Sequence, residues 1–356
     1  MRVNLSVFTM AILLMCLPAI NRAQDLQGTL QSLSDAAAKA YLNPASNGFG
    51  ADLNSGWFSR APQAKILGLD VQVGVVAMGA FMPEDNKNFS INGNIRFTRS
   101  QAEQLTQSVA NQYGAAAQQD IVNQIISRDF YVGISGPTVI GSKNEYMQVE
   151  FDATTLYYQG QPVFIPQQVI TLQDINGVLD NTSLLPFGAP QLTLGTVYGT
   201  QVTFRYLPPT EVSADLGKSD YFGFGIQHNI GVWIPFPLPV DISLGFFTQK
   251  LKVGDVLEST ANEYGIFASR TFGPGTINVT PYAGLSFQNA TMKVSYNYNY
   301  TTATGTIPTN VSFELDGENS TKLAIGVAFK LSIVNLNIDY NIAKYSTLSG
   351  GLGLIF

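Results

Sequence analysis

Val334-Asn335-Leu336-Asn337-Ile338-Asp339-Tyr340-Asn341-Ile342 alternates apolar and polar residues without a break. Successive side chains of a strand point to opposite faces. One face of this run is therefore wholly apolar, and the other carries Asn335, Asn337, Asp339 and Asn341. Packed in a dry core, each of those four would need a hydrogen-bond partner or cost free energy. A polar lumen accepts them, with the apolar face turned to lipid. The preceding run has the same form: Leu323, Ile325, Val327, Phe329 and Leu331 oppose Lys322, Ala324, Gly326, Ala328 and Lys330. A lysine on the lipid face would cost about 2–4 kcal/mol at the midplane, and both lysines fall on the other face. In the last run Leu348, Leu352, Leu354 and Phe356 face lipid, and Ser349, Gly351 and Gly353 face inward.

Working back along the chain, the same period of two recurs. It is dense from Leu192 onward, as in Val240, Ile242, Leu244 and Phe246, and in Met292, Val294, Tyr296, Tyr298 and Tyr300. It is also clear in Leu67 to Phe81 and in Phe89 to Phe97. Several runs reach the roughly 9–11 residues that a tilted strand needs to cross a bilayer. The fold expected is all-β, a transmembrane antiparallel β-barrel of about 14 strands (range 12–16), with an N-terminal helical plug and a short helical insertion. Charged residues are only 12% of the 356 residues, beside 33 glycines, 22 Phe and 16 Tyr, against roughly 25% charged in soluble domains. A secreted β-sandwich or jelly roll shares much of this composition, but its strands usually run about 5–6 residues.

Residues 1–23 read as a signal peptide. Arg2 is the positive start, Leu5 to Leu17 is apolar except for Ser6 and Thr9, and Ala23-Gln24 offers the cleavage point. Cys16, the one cysteine, lies in this stretch; Met15 before it is too large for the usual lipoprotein signal. The formal net charge of −6 becomes −8 without Arg2 and Arg22. An acidic chain without basic clusters argues against nucleic-acid partners.

Residues 24–56 are expected to form a plug folded into the barrel lumen, the alternative being a periplasmic tail; the hatch resemblance given below favours the plug. Leu26, Leu30, Leu33, Ala37 and Ala40 recur at helical spacing. Pro44 should end the helix at Asn43, because the residue before proline is pushed out of the α region. Residues 57–356 are the barrel. Ser100 to Ser127 interrupts it with two short helices divided near Tyr113-Gly114, Ser100 and Glu103 forming a capping box. These helices either line a ligand entry groove or pack a small core of their own. Gln159 to Asp180 reads as a long external loop.

No catalytic, cofactor or metal site is legible, and the chain is not expected to be an enzyme. His228 is the one histidine, and its neighbours Asn229, Ile230 and Gly231 supply no nucleophile, so a structural role at a strand end is expected. Asp316-Gly317-Glu318-Asn319 reads as a polar hairpin rather than a calcium loop. Trp233 to Pro239, with three prolines, is expected to be a periplasmic turn with an aromatic anchor, the alternative being a lateral opening in the wall.

Ala38-Lys39-Ala40-Tyr41-Leu42-Asn43-Pro44-Ala45, ahead of the first strand, resembles the N-terminal hatch of the outer-membrane long-chain fatty-acid and hydrocarbon transporters. Asn43, Pro44 and Ala45 match that family's hatch motif. The resemblance implies a plugged barrel passing small hydrophobic molecules by passive diffusion. No ligand-pocket residue carries over. Asn54-Ser55-Gly56-Trp57-Phe58, Arg205-Tyr206-Leu207-Pro208, Gly225 to Ile230 and Trp233-Ile234-Pro235 resemble an uncharacterised family of Bacteroidota outer-membrane proteins. That resemblance spans most of the mature chain and implies a Gram-negative outer membrane. Phe356 resembles the aromatic C-terminal signal read by the barrel-assembly machinery. The partners expected are therefore outer-membrane lipid, that machinery and a small hydrophobic ligand, with no cofactor. The alternative function is a structural or interaction barrel, a subunit of a secretion or assembly complex. A continuous apolar pocket beside Asn43 to Gly56 would favour transport, and a tightly filled polar interior would favour the alternative.

Overall fold

The structure, a computed structural model, describes residues 35–213, 217–302 and 305–356. The expected signal peptide and the start of the plug segment lie outside these residues. Helix α1 (Asp35–Leu53) precedes strand β1 (Leu67–Phe81). An insertion then holds β2 (Asn88–Ile95), helices α2 (Arg99–Leu105), α3 (Gln107–Tyr113) and α4 (Ala115–Ile126), and strands β3 (Phe130–Pro137), β4 (Tyr146–Phe151), β5 (Thr154–Tyr158), β6 (Gln161–Ile165) and β7 (Gln168–Asn176). After it come β8 (Leu184–Val197), β9 (Thr200–Ser213), β10 (Gly217–Asn229), β11 (Asp241–Val253), β12 (Leu257–Ser269), β13 (Ile277–Thr302), β14 (Gly305–Asp316), β15 (Thr321–Leu331), β16 (Val334–Ile342) and β17 (Thr347–Ile355).

Eleven strands form one antiparallel sheet in the order β12-β11-β10-β9-β8-β1-β17-β16-β15-β13-β14, and β12 also pairs with β13. That extra pairing closes the sheet. β14 lies outside the closure, so the wall has ten strands. The expectation of 14 strands is corrected to ten, for two reasons. β2, β3, β4 and β7 form a separate four-stranded sheet, and β5 and β6 a two-stranded one. β14 pairs only with Thr291 to Thr302, the part of β13 that runs on past its pairing with β15. Period-two alternation marks any half-buried strand and does not say which sheet the strand joins.

The faces of the wall follow the sequence. Leu348, Leu352, Leu354 and Phe356 are exposed on the outside, and Ser349 is buried inside. Lys322, Asn335, Asp339 and Asn341 are likewise buried inward. On β13 the outward apolar row runs from Ile277 to Phe287, about 33 Å along the strand at about 3.3 Å per residue. At the roughly 40° tilt of barrel strands this is a belt about 25 Å tall. Above it a cross-strand row alternates in charge: Asp220 opposes Lys252, Lys252 opposes Glu258, Glu258 opposes Lys293, and Lys293 opposes Glu314. Opposite charges placed directly across strands attract, so each lysine of this row stands between two acids where the belt ends.

One end of the barrel is closed by connections such as Tyr198-Gly199 and Ser332-Ile333. The other carries the insertion between β1 and β8 and the β13–β14 hairpin. We call these the turn end and the loop end. Phe356 finishes the seam at the turn end: its N–H donates to the Val71 carbonyl at 2.9 Å, and its carbonyl accepts from the Val71 N–H at 3.3 Å.

The insertion has three helices where two were expected. Its capping box is Thr98 with Gln101, not Ser100 with Glu103: the Thr98 N–H donates to Gln101 Oε1 at 2.9 Å. Gln159 to Asp180, expected as a loop, is largely β6 and β7. Ile121, Val122, Ile125 and Ile126 of α4 are fully buried in the same core as Val132, Ile134, Met147, Val149 and Phe151 of the sheet. Of the two readings of the helices, the packed core is the one found.

Candidate functional site: a helix threaded through the lumen

An eight-stranded barrel is filled by its own side chains. Ten strands leave more room, and here the segment from Asp35 to Pro62 fills it from end to end. Helix α1 starts at the loop end, where the Tyr41 hydroxyl donates to the Asn176 carbonyl at 2.9 Å and the Val139 N–H donates to the Tyr41 carbonyl at 3.0 Å. It runs on through Pro44 to Leu53. The expected stop at Asn43 is thus corrected, and the glycine-containing stretch after it is helical as far as Leu53. Proline in a helix interior removes a backbone bond and costs about 3 kcal/mol. Contacts on both sides of Pro44 offset this. Upstream are the Tyr41 bonds. Downstream, Asn47 Nδ2 donates to Glu318 Oε1 at 3.1 Å and to the Tyr345 hydroxyl at 3.2 Å, while Asn47 Oδ1 accepts from the Glu318 N–H at 2.8 Å.

The hatch-like motif falls in this stretch. Asn43 Nδ2 lies 3.4 Å from Glu318 Oε1, and Ala45 is buried. Asp316 to Asn319, read as a polar hairpin, is therefore also a clip on the plug. Lys344, hydrogen-bonded to Glu318, holds that carboxyl below the usual range, with Asn43 and Asn47 adding to the effect.

In mid-barrel the helix gives way to Asn54-Ser55-Gly56-Trp57-Phe58, a run that now has a physical role. Arg205, fully buried, donates from Nη1 to the Ser55 carbonyl at 2.9 Å, from Nη2 to the Gly56 carbonyl, and from Nε to Gln191 Oε1 at 3.0 Å. Its guanidinium carbon lies 3.8 Å from the Trp57 ring centroid. Gly56 has φ +66°, in the left-handed region, and a Cβ there would lie 2.8 Å from Val76 Cγ2. Glycine therefore satisfies both the turn and the close approach. Trp57 stacks on Phe247 and Phe58 on Phe267, with centroids 5.2 and 4.7 Å apart. Lys322 bonds the Asn54 carbonyl and pairs with Glu263 at 2.9 Å. The Ser55 and Thr347 hydroxyls are 2.6 Å apart.

At the turn end the segment leaves the lumen. Asn229 Nδ2 donates to the Pro62 carbonyl at 2.6 Å, and the Tyr198 N–H to the Ile66 carbonyl at 2.9 Å. His228 has a structural place here: Trp233 Nε1 donates to its Nε2 at 2.7 Å, which leaves its Nδ1–H for Thr200 Oγ1 at 3.0 Å. β10 and β11 pair without a break from Asn229 to Ser219, so the wall has no lateral opening beside Trp233. Trp233 and Phe236 are exposed at this end, as an aromatic anchor requires.

The lumen is thus packed, and its largest fully buried side chain is an arginine. A cavity beside the plug, between Gly56, Ser59, Gln72, Gln191 and Asn337, holds about 10 Å³. Part of the interior is less well bonded. Both carboxylate oxygens of Asp52, and inward groups of Gln227, Ser243, Gln249, Ser259, Ser286 and Gln288, are buried without a partner among the described residues. The strand pattern gave the inward residues, but no local signal announced that Arg205 would meet the Ser55 and Gly56 carbonyls, about 150 positions away.

No curated protein sequence matches the chain. Among solved structures it is similar to a loop-deletion mutant of OmpT, an outer membrane protein of Vibrio cholerae, with 11% identity over 81% of this chain and 99% of that one, TM-score 0.24. It is also similar to the translocator domain of the autotransporter NalP from Neisseria meningitidis (10%, 92% and 98%, TM-score 0.23). A third likeness is to the transport unit of the autotransporter AIDA-I from Escherichia coli (9%, 92% and 97%, TM-score 0.24). The ten-strand closure stands on the pairing of β12 with β13. One family profile matches residues 1–356, and by that match the chain belongs to DUF6588, a family of unknown function.

Proposed function

We propose that this protein is a sealed barrel of the Gram-negative outer membrane that anchors the β2–β7 insertion at the membrane face for interaction with a partner. The belt about 25 Å tall supports the membrane placement, and Phe356 at the seam supports handling by the barrel-assembly machinery. The observation that carries the reading is the filled lumen. Arg205, Lys322, Ser55 and Trp57 occupy the space a substrate path would need, and they are hydrogen-bonded or stacked there.

Passage of small hydrophobic molecules is a second reading. It draws on the unpartnered Asp52 carboxylate and the inward groups of β10 to β13, where the plug meets the wall with incomplete bonding. Planar-bilayer conductance of the purified full chain, with uptake of a fluorescent fatty acid into proteoliposomes, separates the two. A silent wild type with no uptake is expected. A steady open conductance or saturable uptake would replace the anchor reading with the transport one.

A further inference from the structure

The outer face of the four-stranded sheet carries two cross-strand rows made mostly of hydroxyl and amide side chains. One row is Ser90–Ser135–Gln148–Thr171, and the next is Asn92–Gly133–Glu150–Val169. All four residues of the first row are at least partly exposed, while the opposite face of the same strands is packed on the insertion core. Antiparallel sheets often have one wet face, and natural edge strands such as β2 and β7 often carry lysine to discourage further pairing. These rows hold no lysine or arginine. Their one acid, Glu150, accepts from Gln167 Nε2 at 2.5 Å.

Tyr131, 69% exposed, stands across from Asn94 at one end of the face, and Tyr146 is exposed at the other. Between Ser135 and Tyr146 lies an open groove of about 380 Å³, lined also by Gly136, Pro137, Asn144, Glu145, Gln148 and Thr171. Hydroxyl and amide side chains both donate and accept. They match a ligand that presents neutral hydroxyls in both roles, and an exposed aromatic ring offers a flat apolar surface with a polar tip to such a ligand. The acids present, Glu150 and Glu145, would repel a polyanion.

We propose that this face binds a neutral polysaccharide, with Tyr131 as the stacking platform and Ser135, Gln148 and Thr171 as the hydrogen-bonding row. The inference rests on the anchor reading, since it names the partner that the anchored insertion would hold.

The test is calorimetric titration of the detergent-purified full chain with malto-, cello-, laminari- and mannotetraose, with polygalacturonate as the acidic control. Saturable binding of at least one neutral tetraose is expected. Tyr131→Ala should weaken it about tenfold, and Ser135→Phe, which fills the groove, should abolish it. Both variants should keep the heat-modifiable gel migration of the folded barrel. Binding by none of the four, binding unchanged in Ser135→Phe, or equal binding of polygalacturonate would overturn the proposal. With a silent barrel, such a failure leaves the anchor reading standing. An open conductance would remove the anchor reading whatever the titration gives.

Discussion

The guanidinium of Arg205 in the wall lies over the ring of Trp57 in the plug, 3.8 Å from its centroid, while its Nη1 bonds the Ser55 carbonyl at 2.9 Å. One side chain thus satisfies the backbone where the helix has ended and stacks on the residue that follows. A guanidinium does both because it is planar and presents its donors in a fixed fork. Arg205→Lys should keep the charge and lose the fork and the stack. We expect a loss of about 1–3 kcal/mol in plug docking, read as faster hydrogen exchange across Ala51 to Phe58 and as flickering conductance in bilayers.

Lys322 and Glu263 form a buried ion pair at 2.9 Å, beside the Asn54 carbonyl. Removing one partner of such a pair typically costs about 3–5 kcal/mol, because the other charge is left alone. Lys322→Met should therefore lower the thermal unfolding midpoint sharply. The double variant Lys322→Met with Glu263→Leu should recover most of the loss, and an additive double variant would show that the pair is not coupled.

Asp52 is fully buried, and neither carboxylate oxygen has a partner among the described residues. A buried unpaired charge costs more than a buried neutral amide. Asp52→Asn should raise stability by about 1–3 kcal/mol near neutral pH, measured by denaturant titration in detergent. A destabilised Asp52→Asn would mean that the carboxylate has a bound partner.

Glu318 clips the plug through Asn43 and Asn47, and Lys344 depresses its carboxyl pKa. A depressed folded-state pKa contributes stability that is present above the unfolded value, roughly pH 4.3. That contribution is lost as pH falls through the folded value. The clip should therefore hold at neutral pH and loosen only below about pH 4. Hydrogen exchange of α1 against pH should show this acid step in the wild type and not in Glu318→Gln.

Ile325 and Leu285, cross-strand neighbours of Ala283 and Leu323, face outward within the apolar belt. Ile325→Arg should cost about 2–4 kcal/mol in a bilayer and much less in a water-soluble setting. Equal stability of Ile325→Arg and wild type in liposomes would rule out lipid at this face.

The sequence by itself settled the faces of its long alternating runs. Val334 to Ile342 and Leu323 to Leu331 declare an inside and an outside because side-chain direction alternates residue by residue, a local property of extended backbone. The segment before the first strand was legible as a helix, and only its resemblance to a hatch favoured a plug over a periplasmic tail. The helix length was not, since the rule that proline ends a helix is local and the bonds that carry α1 through Pro44 come from Glu318, Val139 and Tyr345. Strand number was out of reach for the same reason. Membership in the wall depends on which strand offers its edge, and Phe89 to Ile95 alternates as well in the separate sheet as Leu323 to Leu331 does in the barrel. Only the tertiary structure decided that the plug fills the lumen, because its docking is made of pairs such as Arg205 with Trp57 and Lys322 with Asn54. Their partners are brought together by barrel closure and by nothing in their own neighbourhoods.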